Sequence, residues 1–314
     1  MLPRIAFFGT PEYSLIVSDL LLAAGYQFAC VITKPARPVG RKQILMSTPV
    51  ALWAQDKQLP IISPKSQTDK PWLFSDENEV TDRILEVKPD LLITADYTQK
   101  IPTKLINHIK YGGLNVHPSL LPAYRGPAPV PWALLKGEQE TGVSIVTLAD
   151  RFDEGKIIGQ IKEPIFDSDT TVTILKRLFK LGGDLLVKVL PEFIQKTNMS
   201  PVTSGLSPSY FPRLTRDHGF EPWKKIEAAI EMAVEAKRIE RKWRAFHPWP
   251  GLWTLVKVKN QDFGSAKKRL KILKTHISPV TSGMSLKLVL DEIQIEGKNP
   301  IRAKEMNLLL ENCH

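Results

Sequence analysis

The chain has 314 residues, 43% of them apolar, with 43 Lys plus Arg against 33 Asp plus Glu for a net charge of +10. That size and composition suit an ordinary soluble globular protein with room for two domains, and the lack of any run of about 18 apolar residues argues against a transmembrane helix. Cys30 lies in an apolar run and Cys313 beside the carboxyl terminus, an arrangement that makes neither a disulfide framework nor a zinc site, so a reducing cytoplasm is the expected compartment.

The charge is unevenly placed. From Ser207 to His314 there are 20 Lys plus Arg against 12 Asp plus Glu, which leaves 23 against 21 for the residues before it. A basic module attached to a near-neutral one points to a polyanion, most simply nucleic acid; a solvated lysine-rich surface is the plainer alternative.

Taken in order, Arg4 to Gly9 reads as a strand at once and leaves no space for a signal or transit peptide. Thr10-Pro11 then predicts an N-cap with proline at the first helical position, and Leu15, Ile16, Leu20 and Leu21 supply the apolar positions of a helix. Gln27 to Thr33 is a second strand. The glycines of a dinucleotide fingerprint are missing from this β-α-β opening, which excludes NAD binding of that kind. Lys34-Pro-Ala-Arg-Pro-Val-Gly-Arg-Lys42 follows as an irregular basic loop, able to grip a phosphate backbone or simply to be solvated. Ser47-Thr-Pro-Val caps a helix through Gln58, Asp76 to Val87 is helical, and Asp90 to Thr94 is a short buried strand. This alternation predicts a doubly wound, mostly parallel α/β sheet of Rossmann-like kind.

The segment Gly113-Leu-Asn-Val-His-Pro-Ser-Leu-Leu-Pro-Ala-Tyr-Arg-Gly126 is the chemical centre of the chain. Residues two apart on an extended strand share a face, so Asn115 and His117 project together, an amide donor beside a titratable base. Asp153 follows the strand at Gly142 to Ala149 and supplies a carboxylate; a turn residue before Gly155 is the alternative. Pro127 to Lys136 is predicted as a helix and Ile157 to Ile161 as a strand. Thr171 to Leu190 should form a long amphipathic helix stopped by Pro191. The Ser, Thr and Pro of 195–210 mark a linker.

Beyond the linker, Ile226 to Phe246 is helical with a change of face near Lys237, and His247-Pro-Trp-Pro-Gly251 is a rigid turn in which Trp249 packs. Alternating runs at Leu252 to Lys259, Leu270 to Ile277 and Ser285 to Ile295 predict a small antiparallel barrel of the oligonucleotide-binding (OB) kind.

These motifs resemble the methionyl-tRNA formyltransferase family across nearly the whole chain. The resemblance rests on Phe8-Gly9-Thr10-Pro11, Thr33-Lys34-Pro35 with Gly40-Arg41-Lys42, Asn115-Val-His117-Pro-Ser-Leu-Leu-Pro122 with Arg125-Gly126, Asp153-Glu-Gly155, Arg244 to Gly251, and Glu292 to Lys298. It implies a catalytic domain over 1–194, a linker over 195–210 and a basic OB-like tRNA-binding domain over 211–314. It implies 10-formyltetrahydrofolate as formyl donor and methionyl initiator tRNA as acceptor, with no metal, in a cytoplasmic monomer. Asn115, His117 and Asp153 would be catalytic, Ser119, Leu120, Leu121 and Pro122 would line the folate site, and Lys34, Arg37, Arg41 and Lys42 would contact tRNA. Glu154 stands where the family has threonine, and Thr98 where it has glycine. Another folate-dependent formyltransferase, acting on a sugar nucleotide or glycinamide ribonucleotide, and a non-catalytic RNA-binding relative are the alternatives.

Overall fold

A computed structural model describes residues 2–40, 42–195, 205–231, 233–260, 264–279 and 286–308. The chain divides into two compact units that interleave in sequence. Unit 1 comprises Met1–Pro129, Glu140–Pro164 and Ile174–Pro212; unit 2 comprises Val130–Gln139, Ile165–Thr173 and Arg213–His314.

Unit 1 opens with β1 (Arg4–Gly9), α1 (Glu12–Ala23) and β2 (Gln27–Ile32), followed by the short strands β3 (Arg37–Val39) and β4 (Ile44–Met46). Next come α2 (Pro49–Asp56), β5 (Ile61–Ile62), α3 (Glu77–Glu86), β6 (Leu91–Ala95), α4 (Thr103–His108) and β7 (Gly113–His117). Helix α5 (Pro129–Lys136) falls almost wholly in unit 2, and unit 1 resumes with β8 (Glu140–Thr147), β9 (Ile157–Pro164) and most of α6 (Thr171–Gln195). Seven strands form one sheet in the order β5-β2-β1-β6-β7-β8-β9. The pairs from β5 to β7 are parallel, whereas β8 and β9 are antiparallel. Strands β1, β2 and β6 are apolar almost throughout because helices cover both faces of a parallel sheet. Ala6, Phe8, Cys30, Ile32 and Leu92 pack with Phe74, Ile84 and Leu105 on one side. The strand order reverses between β1 and β6, which opens a crevice at their carboxyl ends, the usual ligand site of such sheets.

Unit 2 carries α7 (Trp223–Glu231), α8 (Ala233–Phe246) and an antiparallel sheet of four strands, β10 (Leu252–Asn260), β11 (Gly264–Pro279), β12 (Leu286–Ile295) and β13 (Ile301–Arg302). Its core is built from Ile226, Ala229, Ala236 and Ile239 of the helices against Leu252, Val256, Leu270, Ile272 and Ile293 of the sheet. Among the described residues no helix is long and apolar enough to cross a membrane.

Several local expectations are corrected. Pro11, not Thr10, occupies the N-cap of α1 and makes no side-chain cap; the Thr10 amide instead donates to Ser14 Oγ at 3.2 Å, and that hydroxyl donates to Ala95 O at 2.7 Å. The basic loop is not irregular throughout, since β3 and β4 pair as a hairpin, with Pro38 opposite Leu45. Both strands of a two-stranded ribbon are edges, where a proline is tolerated. Helix α6 runs through Pro191 to Gln195, because partly buried Phe193 and Ile194 continue its packed stripe. Helix α8 runs through Lys237 without a break, so the expected change of face there does not end a helix. Trp249 is 57% exposed and does not pack, since the Pro-rich turn carries it outward. Asp76 and Thr48 do cap their helices, each accepting from backbone amides of the first turn.

Candidate active site

The register of β7 fixes the first two members of the site. Asn115 pairs with Thr94 on β6 and His117 with Ser144 on β8. The Thr94 hydroxyl donates to Asn115 Oδ1 at 2.7 Å, so the amide oxygen is satisfied and its NH2 is presented as a donor. Asn115 Nδ2 donates to Asp153 Oδ1 at 3.3 Å, and the same oxygen lies 3.3 Å from His117 Nδ1. His117 Nε2 is 3.1 Å from Tyr124 O. Both ring nitrogens therefore face acceptors, and the doubly protonated imidazolium satisfies both contacts at once. The His117 and Asp153 side chains are only 6% and 8% exposed, so their interaction is little screened.

Asp153 is held in place by backbone geometry. Its own φ is +59°, and its Oδ2 accepts from the Gly126 amide at 2.9 Å. Gly126 has φ +106°, and a Cβ there would overlap Phe211 O; a Cβ on Gly155 would collide with Thr147 O. Only glycine fits at either place. The loop that presents Gly126 is tied to the segment before residue 212. Arg125 N donates to Ser209 O at 2.8 Å, Phe211 N donates to Arg125 O at 2.9 Å, and the Tyr124 and Phe211 rings stack 4.7 Å apart. Glu154, in place of the expected threonine, bonds Arg125 Nη1 at 3.1 Å across the two loops.

The other sequence candidates are placed as follows. Ser119, Leu120 and Leu121 are buried. Ser119 Oγ donates to Ala123 O at 2.9 Å and Leu121 N to Ser144 Oγ at 3.1 Å, so these residues shape the loop from beneath. Pro122 is the partly exposed member of that segment. At the same sheet edge the hydroxyls of Thr10 and Thr98 are buried without a hydrogen-bond partner among the described residues, which suits a polar ligand in the crevice. Lys34 is partly buried, whereas Arg37 and Lys42 are exposed on the hairpin; Arg41 lies outside the described residues. The hairpin also exposes Ile44, Leu45 and Met46 at 60%, 67% and 53%. Cys30 is fully buried and its thiol is pushed up to about 12, which removes it as a nucleophile near neutral pH.

Three features escaped the sequence reading. Thr94 sits in an apolar strand, and only its register opposite Asn115 gives it a role. Asp96 lies in the next loop, where burial raises its carboxyl to about 6 against the opposing pull of Lys34 and His117. The outer face of β10 and β11 carries Trp253, Leu255 and Lys257 opposite Lys271, Arg269 and Lys267. Lys257 and Lys267 are directly opposed and exposed, while Arg269 lies 4.8 Å over the Trp253 ring. Alternation along both strands would have signalled this basic, aromatic stripe once the pairing was known.

Comparison with known proteins places these features in a family. Residues 4–190 match the formyl transferase family and residues 223–286 match the formyl transferase carboxyl-terminal domain. A methionyl-tRNA formyltransferase of Halalkalibacterium halodurans is 36% identical over 265 residues, covering 84% of this chain and 78% of that protein. One from Lysinibacillus sphaericus is 34% identical over 312 residues, covering 96% and 94%. The crystal structure of an N-formyltransferase from Helicobacter canadensis, in complex with folinic acid and dTDP-3-aminofucose, shares the fold with a TM-score of 0.60 at 18% identity, over 94% of this chain and 95% of that one. The chain belongs to the formyl transferase family and, within it, to the methionyl-tRNA formyltransferases.

Proposed function

We propose that Asn115, His117 and Asp153 carry the transfer of a formyl group from 10-formyltetrahydrofolate to the α-amino group of methionine esterified to initiator tRNA. The observation that carries this reading is the sharing of Asp153 Oδ1 between the Asn115 amide and the His117 imidazole, in a family whose members act on methionyl-tRNA. The folate supplies the formyl group and leaves as tetrahydrofolate. When an amine attacks a formyl carbon, negative charge grows on the formyl oxygen and positive charge on the attacking nitrogen. Asn115, its amide oriented by Thr94, donates to that oxygen, and the His117 imidazolium supports the same charge. Asp153 steadies the imidazolium and takes the proton shed by the amine, which passes on to the departing folate nitrogen. Neither a covalent enzyme intermediate nor a metal is needed.

The Ser119 to Pro122 loop borders the folate on this reading, with Pro122 and the backbone as its reachable parts. Lys34, Arg37, Arg41 and Lys42 bind the tRNA acceptor end, and the stripe on β10 and β11 engages the rest of its backbone. Opposed lysines repel one another, and phosphates between them would relieve that cost. The functional division is a catalytic domain over 1–194, a linker over 195–210 and a basic OB-like tRNA-binding domain over 211–314, working as a monomer in the cytoplasm. The test is single-turnover formylation by Asn115→Ala, His117→Ala and Asp153→Asn. Asn115→Ala is expected to lose roughly 100- to 1,000-fold in rate, the usual effect of removing one oxyanion donor. A folded variant with near wild-type rate would remove that residue from the mechanism.

A further inference from the structure

One partly buried acid at the same sheet edge has no role in this reaction. Asp96 is the residue that follows β6. Ala95 is the last paired residue of β6, opposite Gly9 on one side and Val116 on the other, so Asp96 and His117 each follow a paired position at neighbouring strand ends. It therefore stands in the crevice where the strand order reverses. Its φ of +49° is left-handed, an uncommon backbone for a residue with a side chain and one associated with functional sites. Charged and titratable groups face it from three elements: Lys34 after β2, His117 at the end of β7, and Tyr13 of α1, itself beside Glu12. Desolvation dominates its environment and raises its carboxyl to about 6, while Lys34 and His117 act the other way. A carboxylate kept at such a place is retained against its own desolvation, and its coupling to His117 is reciprocal.

We propose that Asp96 is a positioning residue for formyl transfer, whose carboxylate acts through His117 by favouring the imidazolium that Asp153 and Tyr124 already hold from either side. Asp153 fixes the ring by direct contact, and Asp96 adds a field from the β6 side of the crevice. The proposal rests on the transfer mechanism above, but its first readout does not require substrate.

The variant to make is Asp96→Asn, which removes the charge, keeps the shape and tolerates a left-handed backbone. Asp96→Gly, equally at ease at that φ, is the second variant should the first not fold. The His117 ring is followed by NMR from pH 5 to pH 9, and kcat and KM for methionyl-tRNA are measured over the same range. The expected result is that the imidazole gives up its proton at lower pH in the variant than in the wild type. The alkaline limb of kcat should move the same way, with kcat lower on the order of tenfold at pH 8.5 and KM unchanged. An unaltered His117 titration with a superimposable kcat profile would overturn the proposal. So would a loss of kcat equal at every pH together with a raised KM, since that pattern belongs to a misplaced Lys34 loop. A wild-type enzyme without transfer activity but with the expected His117 shift would instead count against the transfer mechanism.

Discussion

Replacing Asp96 by Asn should make the protein more stable at neutral pH even as it costs turnover. The carboxyl has an ordinary value of 3.8 and is raised to about 6 in the fold, so the folded state binds the acidic proton more tightly than the unfolded chain does. Well below pH 3.8 the acid is neutral in both states and carries no penalty, and stability falls as pH rises from about 4 to 6, where the unfolded chain is ionised and the folded one is not. Once both states are ionised the penalty is about 3 kcal/mol, from a displacement of about 2.2 pH units at 1.36 kcal/mol each. Asparagine carries no charge at any of these pH values and escapes the penalty. Urea denaturation of both proteins at pH 4.5 and pH 7 measures the difference, and the margin favouring Asp96→Asn should widen by about 2 kcal/mol between them. A margin that stays constant with pH, or a variant less stable at pH 7, would show that Asp96 carries no such penalty. Desolvation would then not be the dominant influence on Asp96, and Lys34 would already satisfy the charge.

Two further expectations follow from the geometry. Thr94→Val keeps the strand and its branching but leaves Asn115 Oδ1 without its donor; turnover should fall on the order of tenfold, with stability lower by about 1 to 2 kcal/mol, as rapid-quench formylation and urea denaturation would show. Replacing both Lys257 and Lys271 by Gln should weaken tRNA binding and reduce the slope of log affinity against log salt by about 2, one for each lost phosphate contact, while leaving turnover of bound substrate unchanged. A salt slope equal to wild type would return that stripe to ordinary solvated surface.

What could be read from the sequence was whatever depends on short-range periodicity. The period of two on β7 put Asn115 and His117 on one face, and alternating apolar runs predicted the parallel sheet and the antiparallel strands after Leu252. The remainder depends on which strands become neighbours. Thr94 looks like filler in an apolar strand until β6 lies beside β7, and Asp96 looks like a loop residue until the reversal between β1 and β6 places it in the crevice. The basic stripe of unit 2 likewise needs the pairing of Trp253 with Lys271 and of Lys257 with Lys267. Local propensity misled where distant contacts prevail. Thr10 surrendered its cap because Ser14 bridges to Ala95, and Pro191 failed to end α6 because apolar packing continues past it. Gly155 was visible as a turn signal and Gly126 as part of a motif, yet their purpose, letting a loop close on Thr147 and bringing a backbone amide to Asp153, is a property of the folded site.

On the proposed mechanism, Asn115, His117 and Asp153 serve to formylate the amino group of a methionine carried by tRNA. Its most direct test is formyl transfer from 10-formyltetrahydrofolate by the purified wild-type protein, with methionyl initiator tRNA, uncharged tRNA and free methionine offered in parallel. N-formylmethionyl product is expected with the charged tRNA and none with the two controls. Transfer to a sugar nucleotide or glycinamide ribonucleotide with no product on methionyl-tRNA, by a folded protein that binds both substrates, would contradict it.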